Sequence, residues 1–147
     1  MRKKKTHLPV AKITGEEVGI YRGNRDFYIK ICREWYRRNL QGKKVNNPIL
    51  GTINFYGKAF GETLSKVRHP IHGNILDLKY LAAVKDILEK SVDIVPESPN
   101  HLRKDTISRF YTVYGYVKIK GSIEKIKVMV AEDREGKKYY CLDARQK

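Results

Sequence analysis

No run of apolar residues in this chain is long enough to cross a bilayer, which takes about 20 consecutive apolar positions. The N-terminus, MRKKKTHLPVAKI, starts with charge but has no apolar h-region behind it, so it does not read as a signal peptide. No stretch joins a basic face to the clean apolar stripe of a membrane-surface helix. These absences exclude a membrane partner and lead to the expectation of a cytoplasmic protein, in the producing or the target cell.

Cysteine is scarce. Cys32 and Cys141 are far apart, and neither belongs to a Cys-x-x-Cys pair. Together with scattered histidines they offer too few ligands for zinc, and no cofactor is expected. Cys32 falls in an apolar helical stripe and is expected to pack as a small hydrophobe. Two unpatterned thiols fit a reducing compartment. There is no internal repeat and no low-complexity tract.

Acidic residues are also few. Sixteen Asp and Glu stand against 31 Lys and Arg, a net charge of +15 on 147 residues. Like charges at this density repel in the compact state, and a bound polyanion offsets that cost. The hydrophobic fraction of 41% suffices for the core of one compact domain.

What is present is an alternating pattern after Arg109. Tyr111, Val113, Val117 and Ile119 fall on one face of a strand, and Phe110, Thr112, Tyr114, Tyr116, Lys118 and Lys120 on the other. A turn at Lys120-Gly121-Ser122 leads to a second strand. There Ile126, Val128 and Val130 oppose Lys125, Lys127 and Met129. Packing the apolar faces inward leaves a surface of tyrosines and lysines. Aromatic rings stack on bases and lysines attract phosphates, which points to nucleic acid and first to RNA. The same residues also fit an edge strand guarded by lysine, and tyrosine favours strands in any setting.

Residues 1–20 read as a flexible basic lead-in interrupted by glycines, and 21–147 as a single domain with a helical extension over 21–50. Asn24 suits the N-cap of a helix over Arg25–Leu40, with Phe27, Tyr28, Ile31, Cys32, Trp35 and Tyr36 on its apolar face. Lys43–Pro48 reads as a turn and Gly51–Tyr56 as a short strand. Lys66–Asn74, KVRHPIHGN, reads as a shaped loop. A second helix, capped by Asn74, is expected from Ile75 to about Val92, with Leu78, Leu81, Val84 and Leu88 facing the core. Pro96 and Pro99 bound a linker that ends in the cationic cluster His101-Leu102-Arg103-Lys104. A hairpin turn at Glu135-Gly136-Lys137 precedes a last strand over Lys138–Ala144. The fold class expected is α+β: N-terminal helices packed on a curved antiparallel sheet whose C-terminal part is a three-stranded meander, open to extension by the Gly51 strand.

The order LQGKKVNNPILGTINFYGKAF, SKVRHP, ILEKSVDI and RFYTVYGYVKIKG…IKVMV…GKKYY resembles the phage and polymorphic-toxin relatives of the barnase–EndoU–colicin–RelE-like nucleases. The resemblance covers roughly Leu40 to Tyr140. It implies helices on a curved antiparallel sheet, RNA cleavage without a metal, and a place in phage head-morphogenesis or large polyvalent proteins. It also implies a functional histidine near the SKxxHP position, which is His69.

The chemistry can be set out independently. RNA carries its own nucleophile in the 2′-OH. Cleavage needs a base for that proton, an acid for the departing 5′-oxygen, and cations on the phosphate, leaving a 2′,3′-cyclic phosphate. His69 is the candidate base or acid, and the neighbouring Lys66 and Arg68 would lower its pKa and favour the base role. His72 and His101 are weaker candidates for the same work. Arg109 is the candidate for a two-pronged phosphate contact. Tyr114 or Tyr111 would donate to phosphate or stack, although Tyr111 shares its face with apolar residues. Tyr139 and Tyr140 lie on opposite faces, and periodicity does not fix which enters the site; Tyr140 is carried as a catalytic candidate. Tyr114, Tyr116, Lys118, Lys127, Arg68, His101 and Arg103 are the expected RNA contacts.

No histidine follows His101, so a barnase-type late histidine is absent, and a pattern of basic residues with tyrosine is closest to RelE-type sites. HPIHGN has spacing too short for the Fic-type phosphate loop, and Leu76–Leu78 brings no arginine. The readings that remain are an endoribonuclease effector acting on tRNA or mRNA and matched by an immunity or antitoxin protein, a silent RNA- or DNA-binding module, and a phage protein that binds a host protein through a recycled nuclease fold.

Overall fold

The computed structural model of the protein describes residues 10–57, 75–97 and 107–141. Its elements are β1 (Val10–Ile13), α1 (Arg25–Asn39), β2 (Lys44–Asn47), β3 (Gly51–Asn54), a 3-10 turn (Ile75–Tyr80) running into α2 (Leu81–Lys90), β4 (Ile94–Glu97), β5 (Ile107–Ile119), β6 (Ser122–Asp133) and β7 (Lys138–Tyr140). The architecture is α+β, with both helices on one face of a mixed sheet.

The centre of the sheet is the long β5–β6 hairpin. Its two-residue turn puts Lys120 (φ 50°) and Gly121 (φ 88°) in the left-handed region. That is the turn whose twist matches antiparallel strands, and glycine meets its demand at the second position. Twelve register pairs follow, from Ile119↔Ser122 to Ile107↔Asp133, with one irregularity between Ile107 and Arg109. The next turn forms as expected: Asp133 N donates to Lys137 O, and Gly136 takes a φ of 88°. β7 then returns along β6, completing the antiparallel meander.

The sheet extends further than the sequence pattern suggests. The strand order is β1-β5-β6-β7-β3-β2, with β4 also on β5. β3 joins β7 in parallel and β1 joins β5 in parallel, so the sheet is mixed rather than antiparallel throughout. β4 and β1 share one edge of β5: β4 covers Phe110–Val113 and β1 covers Tyr116–Ile119. The gap between them is closed by a hydrogen bond from Tyr114 N to Asp93 O and another from Ser91 Oγ to Tyr114 O.

Three segments correct the sequence reading. Val10–Ile13 lies within the expected flexible lead-in but is a sheet strand, with Ala11 and Ile13 buried. Lys44–Asn47 is a strand, not a turn, because Val45 pairs with buried Ile53. Pro96 belongs to a strand rather than a linker; an edge strand tolerates a residue with no N–H.

Asn24 caps α1 as expected, its Oδ1 accepting from Phe27 N at 2.9 Å. Tyr28, Ile29, Cys32 and Tyr36 are the buried positions, while Phe27 is 53% exposed and stands outside the stripe assigned to it. The second helix is α-helical only from Leu81. It buries Leu81, Ala83, Val84, Ile87 and Leu88, with Leu78 packed just before it. The core lies between these helices and one sheet face, centred on Ile53, Phe55, Val113, Val117, Val128, Val130 and Tyr140. Each fully buried aliphatic side chain there contributes about 1.5–3 kcal/mol.

Candidate functional site

The alternation of β5 leaves one sheet face to the helices and the other without any described helix upon it. Val113, Gly115 and Val117 point to α2, so Phe110, Thr112, Tyr114, Tyr116 and Lys118 point away. Register fixes their neighbours. Tyr114 pairs with Lys127, Tyr116 with Lys125, Thr112 with Met129 and Phe110 with Ala131. β1 sets Val10 beside Tyr116 and Lys12 beside Lys118. β7 brings Tyr139 beside Ala131, β3 brings Asn54 beside Tyr139, and β2 brings Lys44 beside Asn54. Tyr56 packs on Tyr139 with ring centroids 5.5 Å apart.

The result is a continuous surface of half-exposed rings among cations. Lys12, Lys118, Lys125 and Lys127 cluster toward the β5–β6 turn, and Lys125 Nζ lies 4.7 Å from the centroid of the Tyr114 ring. The strand carboxylates on this face are Glu97 and Asp133. Glu97 accepts a 2.7 Å hydrogen bond from the Thr112 hydroxyl, and Asp133 Oδ1 is taken by the amides of Glu135 and Lys137. A surface that mixes rings with ammonium groups attracts phosphates and stacks bases.

Of the residues proposed from sequence, Tyr114, Tyr116, Lys118 and Lys127 come together here. Arg109 does not: it sits in register with Glu132 on the helix side of the sheet, beside Tyr111. Tyr111 donates to Glu132 Oε1 at 2.7 Å, and its pKa is raised by burial and by that carboxylate, with Arg109 pulling the other way. Tyr140 is also turned away. It is 2% exposed, between Phe55 and Tyr36, and burial holds its pKa well above the usual phenol value. A neutral phenol enclosed in the core has no path to a phosphate on the open face; its neighbour Tyr139 occupies that face instead. Lys66, Arg68, His69, His72, His101 and Arg103 lie outside the described residues.

Several contributors were not read from sequence. Lys12 and Lys44 sit on strands first read as lead-in and turn. Glu97 sits on a strand read as linker, where Pro96 masked the extended pattern. Phe110 and Lys125 belong to the alternating pattern, but nothing in that pattern sets them apart as contacts. The basic side chains of α1 form a separate surface behind the sheet, where Glu34 bonds Arg37 at 2.6 Å and Arg38 at 3.0 Å and its carboxyl pKa is lowered by those two hydrogen bonds.

Among the described residues no cluster of His, Cys, Asp and Glu converges as metal ligands would, and no described helix is long and apolar enough to cross a membrane. Fold and surface define an α+β domain with helices on one side of a mixed sheet and an aromatic, cationic face on the other. Residues 24–140 match the family model of large polyvalent protein-associated domain 3, and the chain belongs to that family. No curated protein and no solved structure matches it.

Proposed function

We propose that the domain acts on RNA, holding a single strand across the open sheet face and cleaving it at the 2′-OH without a metal. The observation behind this reading is the cluster of Tyr114 and Tyr116 with Lys12, Lys118, Lys125 and Lys127 on the sheet face that no described helix covers. Exposed rings stack on unpaired bases, and the lysines supply the salt-sensitive attraction to phosphate. The cleavage step rests on the nuclease resemblance, with His69 as base or acid and Lys66 and Arg68 beside it in sequence. tRNA and mRNA are the substrates in view, and an enzyme of this kind calls for an immunity or antitoxin partner.

The second reading is binding without cleavage. Its support is that Arg109 and Tyr140 both face away from the open surface, so the catalytic set cannot be completed from them. The experiment that decides is incubation of the purified protein with total RNA and tRNA in EDTA, with a His69→Ala control and end-group analysis. Discrete products with cyclic phosphate ends, lost in the variant, are expected of the nuclease. RNA that shifts on a native gel yet stays intact gives the binding module. RNA that neither shifts nor breaks defeats both.

A further inference from the structure

The open face is not uniformly basic, and its exception is informative. Asp133 is committed to its turn, but Glu97 is exposed at the end of β4 and among the described residues makes one side-chain hydrogen bond, from Thr112. Thr112 is 2% exposed, so the donor that orients the carboxylate is itself fixed. An ionised carboxylate accepts at about four lone-pair positions, and among the described residues Thr112 takes one of them. Its register partner is Phe110, a half-buried ring on the same face. Cross-strand neighbours stand about 5 Å apart, close enough for a base stacked on the ring to reach the carboxylate with its edge.

A carboxylate beside a cationic surface repels phosphate, so its use is to accept from a base. Guanine alone among the RNA bases presents two adjacent N–H groups, N1–H and N2–H, that match the two oxygens of a carboxylate. Adenine and uracil each offer one donor group flanked by two acceptors, and cytosine one amino group beside a single acceptor, so none matches both carboxylate oxygens with adjacent N–H groups. We infer that Phe110 and Glu97, held by Thr112, form a nucleobase subsite that selects guanine in single-stranded RNA. The subsite builds on the RNA reading above. Phe110 lies four residues, about 13 Å, along β5 from Tyr114, so the selected base and the lysine-bound phosphates belong to different nucleotides of one strand.

The test uses fluorescently labelled 2′-fluoro oligouridines, which lack the nucleophile, carrying one central guanine, inosine, adenine or uracil. Binding to the full chain is followed by anisotropy. The guanine oligomer is expected to bind about tenfold tighter than the adenine and uracil oligomers, with inosine, which lacks the 2-amino group, in between. Glu97→Gln should erase this preference while leaving affinity for all-uridine oligomers equal or higher. Phe110→Leu, which keeps an apolar side chain, should weaken the guanine oligomer most. Equal binding of all four oligomers by the wild type overturns the subsite but leaves the RNA reading standing, as does a guanine preference that survives Glu97→Gln. Absence of binding to every oligomer overturns the RNA reading and the subsite with it.

Discussion

Gly115 of β5 lies directly against Ile87 of α2: a Cβ at Gly115 would stand 2.8 Å from both Cγ1 and Cγ2 of Ile87. The missing side chain is what lets the helix settle onto the strand with Ile87 completely buried. Gly115→Ala is therefore expected to destabilise the fold by about 1–3 kcal/mol, the usual cost of overpacking. Ile87→Ala alone should cost about 2–5 kcal/mol through its cavity. Together the two should cost clearly less than their sum, because each relieves the defect of the other. Urea unfolding of the four proteins in the cycle measures this, and strict additivity would contradict the contact.

Asn47 ties two distant elements. It is 4% exposed; its Nδ2 donates to Leu88 O at 2.7 Å and Ser91 O at 2.9 Å, and its Oδ1 accepts from Ile49 N and Leu50 N at 2.8 Å each. One side chain thus ends α2 and shapes the β2–β3 turn. Asn47→Asp keeps the shape but turns two donors into acceptors facing carbonyls. The expected loss is about 3 kcal/mol or more, against a smaller loss for Asn47→Ser, which retains one donor. Thermal melts of the two variants give the order, and an aspartate variant as stable as wild type would show that these bonds contribute little.

How far the sequence discloses this molecule depends on segment length. The β5–β6 hairpin is legible because twelve or more alternating residues flank a turn that needs positive φ. β1, β2 and β4 are four residues each, too short for a period to emerge. They exist because tertiary packing buries Ala11 and Val45 and half-buries Ile94, with β1 and β4 paired to the distant β5 and β2 to its neighbour β3. The tyrosines and lysines of the open face could be read from β5 and β6, since face follows parity. Tyr140 could not be placed, because its direction depends on which face of β6 meets the helices. Glu97 is hidden in the sequence for the same reason as its strand.

The core should weaken at alkaline pH. Burial pushes the Cys32 thiol up to about 12, with the Tyr28 hydrogen bond acting the other way, and burial also raises Tyr36 and Tyr140. The folded state thus binds these protons more tightly than the unfolded chain. Their contribution is intact below the unfolded pKa and is lost as pH rises toward the folded one. For Cys32 the window opens near pH 9, before tyrosines titrate. The stability difference between wild type and Cys32→Ala should therefore shrink across pH 9–10, by about 1 kcal/mol per unit. Chemical denaturation at several pH values provides the comparison; a constant difference would mean that the thiol ionises without unfolding.

The open face makes a divided prediction about salt. If Lys118, Lys125 and Lys127 contact phosphates, each change to Gln should reduce the slope of log affinity against log salt by about 0.7 on single-stranded RNA. Tyr114→Leu and Tyr116→Leu should instead lower affinity by about 1–3 kcal/mol per lost stacking contact and leave the slope unchanged, since no counterion is released by a ring. Lys125 adds a distinction of its own, because its ammonium lies over the Tyr114 ring. Binding a base there requires the ammonium to move off the ring, so Lys125→Gln should show a smaller affinity loss than Lys127→Gln at equal change in slope. Lys30 on α1 is exposed behind the sheet and serves as the control. A slope that falls as far for Lys30→Gln as for Lys127→Gln would move the phosphate-binding surface from the open face to the helices.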